Sequence, residues 1–274
     1  MKVAKIIDGK EASIWVYDLS GTSSMRKLTL TGANRFPIWS ADGEHIAFQS
    51  DREGDKGIFW QRADGTGTAE RLTMPEKDVE HIPDSWSPDG RKFSFSAVKG
   101  NTEAVWIFSF PDKKATVFAE APGAFITNSV FSPDGKWLAY QSYESQRSEI
   151  FVQPFPPTGA KYQVSTEGGT TPLWSPARSQ LYYWATLSQH LVAVDVQTEP
   201  TFSVGKKVVL AIDAIPVAAP FGETNYDLTP DGKQFVVVTR AVSPSGDADR
   251  SPAQQMEFVL NWFDELRRLA PITK

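Results

Sequence analysis

The sequence predicts an all-β protein built from repeated four-stranded units, and three observations support this fold class. A twelve-residue phrase, FSPDGKWLAYQS at 131–142, occurs in five versions along the 274 residues. A short stretch rich in aromatic or β-branched residues follows four of the five versions. Glycine and proline number 19 each and aromatic residues make up 12% of the chain, a combination typical of many strands joined by tight turns.

The spacing of the phrase gives the size of the unit. The other versions are WSADGEHIAFQS (39–50), WSPDGRKFSFSA (86–97), WSPARSQLYYWA (174–185) and LTPDGKQFVVVT (228–239). Their corresponding turn positions are 42, 89, 134, 177 and 231, so that successive units are offset by 47, 45, 43 and 54 residues. A period of roughly 40 to 50 residues matches the four-stranded blade of a β-propeller.

Each full unit is interpreted as four antiparallel strands. The phrase covers the end of a first strand, a turn and a second strand, and a short closing run supplies the fourth. The third strands are found in KGIFWQRADG (56–65), EAVWIFSFPD (103–112), SEIFVQPFPP (148–157) and QHLVAVDVQT (189–198). We therefore expect one propeller domain over 1–274, with a partial blade at 1–30 and blades at about 34–73, 80–119, 126–165, 169–210 and 223–262.

The two ends of the chain leave the ring incomplete. KEASIWVYDLSG (10–21) and MRKLTL (25–30) match a third and a fourth strand, and no first strand precedes them. MEFVLNW (256–262) supplies a third strand of the last unit, followed by a short predicted helix at 262–270. Six blades are favoured, the first and last incomplete, and five blades are the alternative. Because an open ring exposes strand edges, we expect further strands upstream in a longer protein.

The Pro-Asp-Gly segment of the phrase predicts a tight hairpin turn. Proline fixes φ for the second turn position, aspartate bonds to nearby backbone N–H groups, and glycine takes the left-handed conformation that follows. The recurring aspartates are therefore interpreted as structural turn residues: Asp42, Asp89, Asp134 and Asp231. In the fourth copy Ala177 and Arg178 replace aspartate and glycine, which predicts a weaker or differently shaped turn there.

Composition excludes several classes of function. The formal net charge is −5 and no basic patch stands out, so nucleic-acid binding is not expected. There is no cysteine, which excludes disulfides and thiolate chemistry. No apolar run reaches the length of a membrane helix, so no membrane insertion by this chain is expected. The opening MKVAKIID is too short for the core of a signal peptide, which leaves the compartment open.

Catalytic patterns were sought and weighed against structural roles. No G-x-S-x-G nucleophile motif is present. The three histidines fall in three different units without metal-ligand spacing, so neither a metal nor another cofactor is expected. Carboxylates at the central channel are the remaining route to catalysis. Glu80, Asp84 and Asp227 stand at or within first strands, which line the channel of a propeller, and they would serve a small-molecule hydrolase or lyase.

Polar residues that do not repeat give the preferred prediction of a site. Before or within the first strands, each unit carries different polar residues, which a propeller gathers at one mouth of its channel. Variation on a fixed scaffold is how binding surfaces are built. The predicted binding residues are Asn34, Arg35, His81, Asp84, Asn128, Asn225 and Asp227.

The repeated phrase and the aromatic strand after it resemble the PD-type propeller repeat, a relative of the WD repeat found in TolB. Stretches 60–73, 163–175 and 259–268 are also similar to the C-terminal propeller of bacterial serine/threonine kinase-linked or regulator-linked proteins. The chain has no Gly-rich phosphate loop, HRD or DFG, so kinase activity is not carried over. The resemblance implies a non-catalytic sensing or docking module, outside the cytoplasm, that binds a protein or peptide.

Overall fold

The computed structural model describes residues 2–7, 12–18, 25–210, 226–229, 231–240 and 254–259. The chain divides into two compact units, residues 1–161 and residues 162–274. The predicted helix at 262–270 and the site residue Asn225 lie outside the described residues. Within the described part, no helix has the length and apolar character needed to span a membrane.

The first unit consists of successive antiparallel sheets, each formed by strands that are consecutive in sequence. The first sheet contains β1 (Lys2–Ile7), β2 (Ser13–Asp18) and β3 (Arg26–Lys27). The second contains β4 (Asn34–Trp39), β5 (His45–Ser50), β6 (Gly57–Arg62) and β7 (Glu70–Arg71). The third contains β8 (Glu80–Trp86), β9 (Lys92–Lys99), β10 (Thr102–Ser109) and β11 (Lys114–Ala119). β12 (Ile126–Phe131), β13 (Trp137–Ser142) and β14 (Glu149–Pro154) follow.

The second strands are buried on both faces, which explains why their sequences are apolar without alternation. Ile46 and Phe48 of β5 pack with Ile14 and Leu28 of the first sheet. Ala47, the residue between them, packs with Phe93 and other residues of the third sheet. A further cluster joins the third sheet to β12–β14. Each pair of consecutive sheets in the first unit therefore has its own apolar core.

One hydrogen-bonded turn recurs between the first and second strands. Asp134 Oδ1 accepts hydrogen bonds from Ser132 Oγ at 2.6 Å and from the Lys136 N–H at 3.0 Å. Gly135 follows with φ of 70°, a conformation that favours glycine. The same bonds are made by Asp42, Asp89 and Asp231.

These turns also pack against one another along the first unit. A Cβ placed on Gly90 would lie 3.8 Å from Ala41 Cβ, and one placed on Gly135 would lie 3.3 Å from Pro88 Cδ. Gly90 and Gly135 thus each face the residue just before the aspartate in the preceding turn.

The second unit repeats the pattern. It contains β15 (Tyr162–Gln163), β16 (Thr170–Trp174), β17 (Gln180–Ala185), β18 (His190–Gln197) and β19 (Ser203–Leu210), then β20 (Tyr226–Leu228), β21 (Phe235–Arg240) and β22 (Gln254–Val259). Strands β16–β19 form one sheet and β20–β22 another. A shared apolar cluster includes Tyr182, Leu191, Leu210, Tyr226 and Phe235.

The turn that lacks Asp-Gly has a different shape. The Arg178 N–H donates to Ser175 Oγ at 3.2 Å, whereas the corresponding Gly90 N–H donates to the Ser87 carbonyl at 2.9 Å. Arg178 is not among the residues with positive φ. This turn closes without the left-handed residue of the other copies.

Candidate functional site

Four of the first strands, β4, β8, β12 and β16, carry an irregularity of register near the middle. The register of β4 shifts between Arg35 and Ile38, and that of β12 shifts between Thr127 and Val130. β16 of the second unit shifts in the same place. The residue three before the terminal aromatic residue of the strand has positive φ in all three: Phe36 at 54°, Asn128 at 53° and Thr171 at 49°. Bulges of this kind re-aim side chains and leave backbone groups outside the ladder.

Strand β8 departs from this pattern because proline occupies the bulge position. Pro83 stands three residues before Trp86, and the proline ring holds φ near −65°, so positive φ is not available there. The irregularity in β8 lies between Pro83 and Ser85, which makes Asp84 the extra residue. Asp84 therefore has a backbone setting that the first strands β4, β12 and β16 do not share.

The Asp84 carboxylate joins two neighbouring sheets. Its Oδ2 accepts hydrogen bonds from Ser96 Oγ at 2.9 Å, from Ser129 Oγ at 2.7 Å and from the Ser129 N–H at 3.2 Å. Ser96 lies on β9 of the same sheet, and Ser129 lies in the bulge of β12. The bulge exposes the Ser129 N–H, and the Asp84 carboxylate satisfies it. Asp84 is thus a link between β8 and β12.

A second acid completes the cluster. Thr127 Oγ1 lies 2.9 Å from Ser96 Oγ, and the Thr127 side chain also acts on the Glu103 carboxyl of β10, whose pKa it lowers. Asp84, Ser96, Thr127 and Glu103 therefore form a row of polar side chains between the two acids. A proton on either carboxyl would add a donor to this row.

The electrostatics of the two acids favour that proton. Burial is the largest cause that raises the pKa of Asp84, to about 7, and the nearby Glu103 raises it further while the serine hydrogen bonds lower it. Burial also raises the pKa of Glu103. Two acids near each other with raised pKa values are the arrangement used for general acid and base chemistry, and structural clusters show it as well. We name Asp84, Ser96, Glu103, Thr127 and Ser129 the acid cluster.

The structure places His81 in a mainly structural setting. Its ring lies 4.8 Å from the Phe95 ring, and Nδ1 lies 2.9 Å from Thr73 Oγ1. Because Thr73 Oγ1 already accepts the Ile58 N–H, its hydroxyl hydrogen is available to Nδ1 of a neutral imidazole. Burial lowers the pKa of His81 to about 4. The charge of Asp55 raises this pKa slightly, and the charge of Arg71 lowers it slightly.

Asn34 and Asn128 hold backbone in place. Asn34 is buried, its Nδ2 donates to the carbonyls of Thr31 and Gly32, and its Oδ1 accepts from Arg52 Nη2 at 2.9 Å. Asn128 takes the positive φ of the bulge and donates to Gln141 Oε1 at 3.1 Å. The binding role predicted for both residues stays a prediction.

One pair of facing positions on the first and second strands carries different residues in different sheets. Four residues before the terminal aromatic residue of the first strand, the register pairs Arg35 with Gln49, Ile82 with Ser96 and Thr127 with Gln141. The chain thus places different side chains at one fixed position of successive sheets, and we name this set the variable ladder pairs.

A cavity of about 410 Å³ opens where β12 and β14 begin. Tyr143 is 46% exposed and Phe125 is 38% exposed, and their rings meet edge to face at 6.4 Å. The residues that line the cavity are Ala121, Pro122, Gly123, Ala124, Tyr143, Glu144 and Gln146. The end of the sheet at which the first strands begin therefore combines a recess of mixed polarity with the variable ladder pairs.

The remaining predicted residue is Asp227, in the second unit. It is exposed, and its Oδ1 accepts the N–H of Leu228 at 2.7 Å. The acid cluster of the first unit contains Asp84 but not Glu80. Glu80 instead pairs with Lys56.

Asp42, Glu44 and His45 bring possible metal-ligand atoms within 4.8 Å of one another. Both acids are exposed, and Asp42 is engaged in its turn. Exposed acidic groups of this kind are common without a metal, so the three residues assign no metal site.

Sequence reasoning missed most members of the acid cluster. Glu103 was taken only as part of a third strand, and Ser96 and Ser129 as ordinary strand residues. The available signal was Pro83 at a position where the other first strands have a bulged residue.

Comparison with known proteins supports the fold. No protein-family model matches the chain. It is 27% identical over 136 residues to the uncharacterized peptidase YuxL of Bacillus subtilis, which is half of this chain and 20% of that protein. It is 30% identical over 112 residues to the Tol-Pal system protein TolB of Anaeromyxobacter dehalogenans, 40% of this chain and 25% of TolB. The chain thus spans a quarter or less of the length of these curated relatives.

Solved structures give the same fold with lower identity. TolB from Acinetobacter baumannii superposes with a TM-score of 0.67 at 16% identity and covers 95% of this chain and 61% of that one. Oligogalacturonate lyase from Vibrio parahaemolyticus gives 0.63 at 10% identity, with 95% and 74% covered. The chain is an all-β protein with a TolB-like β-propeller fold, and this fold is shared by TolB and by an oligogalacturonate lyase.

Proposed function

We propose that this chain is a non-catalytic binding module that recognises a protein or peptide at the end of the sheets where the first strands begin. The observation that carries the proposal is the set of variable ladder pairs, whose half-buried members are Arg35, Ile82, Thr127 and Gln141, while Gln49 and Ser96 are buried. A backbone that repeats while its side chains differ provides a surface for one particular partner. The cavity beside Tyr143, lined by both apolar and polar residues, adds area for a side chain of the partner.

Similarity to TolB supports this proposal, since the name of that relative places it in the Tol-Pal system. The similarity of 60–73, 163–175 and 259–268 to regulator-linked propellers extends the proposal to a sensor part of a longer protein. In both versions of the proposal, the partner contacts the end of the sheets where the first strands begin, and no covalent bond is made or broken.

The test is a selection of peptides from a random display library on the immobilised chain, followed by affinity measurement for each selected peptide. Arg35→Ala is expected to weaken binding by about tenfold, as a loss of a central interface arginine does. Lys114→Ala, which removes an exposed lysine from the start of β11, serves as control and is expected to bind as wild type. Peptides that bind wild type and Arg35→Ala equally would contradict the proposal.

The acid cluster favours a second candidate, a hydrolase or lyase acting on a small molecule. The pKa of Asp84 near 7 suits a general acid or base at neutral pH. The Asp84 carboxylate, however, already accepts three hydrogen bonds, one from Ser96 on β9 and two from Ser129, and the last two join β8 to β12. Turnover of an acidic or neutral saccharide that disappears in Asp84→Asn, with the variant shown to be folded by its melting curve, would favour the enzyme.

A further inference from the structure

A second cavity lies between the second and third sheets, at the opposite end from the first-strand starts. It measures about 350 Å³ and is open to the turns that follow β4 and β8. Three half-buried aromatic side chains form its floor, Trp60, Trp86 and Phe110. The other residues that line it are Ser40, Ala41, Asp42, Pro88, Asp89 and Gly90. We name it the aromatic pocket.

The rings of the aromatic pocket form a connected stack. Trp86 and Phe110 are stacked with centroids 5.2 Å apart and planes 15° apart. Trp60 lies 5.1 Å from Phe110 and 6.1 Å from Trp86. The faces of aromatic rings carry negative electrostatic potential, and adjacent faces attract an organic cation.

Two turn aspartates stand at the rim of the aromatic pocket. Asp42 and Asp89 are both exposed, and the turn bonds of each use Oδ1. Hydrogen bonds from Ser40 and Ser87 are the largest causes that lower the pKa of Asp42 and of Asp89, so both are ionised at neutral pH. Positive charge nearby comes from Lys92 and Arg91, which also act on Asp89.

The interface between the third sheet and strands β12–β14 shows what lies at the position that corresponds to the aromatic pocket. Phe155 follows β14 as Phe110 follows β10, since each N–H donates to the residue just before the second strand. Lys92 begins β9, and its Nζ lies 5.8 Å from the centroid of the Phe155 ring. In that interface an ammonium group of the protein occupies the space above the aromatic residue.

The aromatic pocket lacks this internal cation because of a difference at one position. His45 begins β5 as Lys92 begins β9, and it stacks on Trp60 of its own sheet at 4.3 Å. The residue of β10 that corresponds to Trp60 is Ile107, which offers Lys92 no ring. His45 is thereby held on its own sheet, and the face of Phe110 stays lined by Trp60 and Trp86 around a cavity.

We propose that the aromatic pocket binds a cationic side chain, lysine or arginine, of a peptide segment of the partner. The rings supply cation–π attraction and the two aspartates supply the opposite charge. This inference rests on the proposed function in one respect only, namely that the cation belongs to a peptide. The site is separate from the variable ladder pairs, so each can fail without the other.

The experiment is a titration of the chain with three short peptides, acetyl-Gly-Lys-Gly-amide, its arginine counterpart and its glutamine counterpart, with EDTA present. Binding is followed by the indole N–H resonances of Trp60 and Trp86. We expect the lysine and arginine peptides to shift these resonances and the glutamine peptide to leave them unchanged. Equal shifts with all three peptides would overturn the proposal.

Variants locate the effect. Trp60→Ile installs the residue found at the matching position of the third sheet, and it is expected to weaken cation binding about tenfold, within the range of desolvated cation–π contacts. Asp42→Asn with Asp89→Asn is expected to weaken it as well and to reduce its dependence on salt. Trp106→Phe and Asp134→Asn are matched controls outside the pocket and are expected to bind as wild type. Unchanged binding in Trp60→Ile, shown to be folded by its melting curve, would overturn the proposal.

Two other ligands complete the test. Tighter binding of free choline than of the lysine peptide would overturn the peptidic assignment. A shift produced by calcium and removed by EDTA, without any shift from the lysine peptide, would assign Asp42, Glu44 and His45 to a metal and overturn the proposal. Arg35→Ala is expected to keep the peptide response, which separates this inference from the proposed function.

Discussion

Asp84 and Ser129 stand at the same position of neighbouring first strands, two residues before Trp86 and Phe131, and are hydrogen-bonded to each other twice. The carboxylate accepts both the hydroxyl and the backbone N–H of the serine. The bond pair exists because the bulge of β12 frees the Ser129 N–H from its ladder and the displaced bulge of β8 turns Asp84 toward it. Adjacent sheets are thus joined by a side chain as well as by apolar packing.

The first prediction concerns Asp84→Asn. A folded-state pKa of about 7 lies above the ordinary value of 3.8, so the favourable contribution of Asp84 is complete below pH 3.8 and is lost as pH rises through 7. The amide oxygen of asparagine can still accept from Ser129. We expect the variant to gain stability relative to wild type between pH 5 and pH 8, measured by urea unfolding. A constant difference across this range would contradict the raised pKa.

The second prediction concerns His81→Asn and has the opposite sign. The folded-state pKa of about 4 lies below the ordinary value of 6.5, so the contribution of His81 is complete above pH 6.5 and is lost as pH falls toward 4. Asparagine keeps a polar group near Thr73 and does not titrate. We expect wild type to lose stability relative to the variant from pH 6.5 to pH 4, again by urea unfolding. Parallel curves for the two proteins would refute it.

Since His81 and Asp84 lie on one strand and act in overlapping pH windows, their effects partly cancel in the wild type. Each single variant should therefore show a steeper net dependence on pH than the wild type if other groups change little. The double variant provides the control, because it removes both contributions together.

The third prediction concerns Gly57→Ala. A Cβ at Gly57 would lie 2.7 Å from the Thr73 carbonyl oxygen, which is backbone and cannot swing away. Thr73 also binds the Ile58 N–H and His81, so displacement would disturb several bonds. We expect a loss of about 2 kcal/mol in the free energy of unfolding, in the range for overpacked sites. Ala104→Gly, at the matching position of β10, is the converse control and should cost about 1 kcal/mol or less.

The fourth prediction reverses what the sequence suggested for the turn at Ala177 and Arg178. Pattern comparison favours Arg178→Gly as a stabilising change, because glycine is the residue of the other copies. In the structure Arg178 does not have positive φ, so glycine adds only freedom to the unfolded chain. We expect Arg178→Gly to lower stability by up to about 1 kcal/mol. A rise in melting temperature would show that the turn rearranges to the Asp-Gly form.

Much of the fold was predictable from the sequence because its signals are local. The phrase fixes a turn between two strands, and the aspartates make in the structure the bonds that their spacing implies. The second strands are apolar without alternation, a pattern that predicts burial on both faces. Ile46, Ala47 and Phe48 are all buried in the structure.

The candidate site was less predictable because it depends on contacts between sheets. Asp84 was singled out as a channel acid, but its partners Ser96, Ser129 and Glu103 belong to three other strands whose alignment follows from packing. The sequence does not show that His81 is desolvated against Phe95, which keeps its imidazole neutral, and its predicted contact with a ligand stays a prediction. Nor does it show that Asn34 is buried among backbone carbonyls, and its binding role stays a prediction too. Neighbouring strands decide these environments, and residue type does not reveal them.

Pro83 shows how a tandem repeat can acquire an individual feature without any insertion. Copies of a duplicated segment begin with the same backbone, so differences between them ordinarily arise from side chains or from longer loops. One proline moves an irregularity along its strand by a single residue and gives one copy a carboxylate that its sister copies lack the geometry to present. In a repeat protein of this kind, the position at which one copy departs from the backbone conformation of the other copies is a guide to where divergence after duplication has begun.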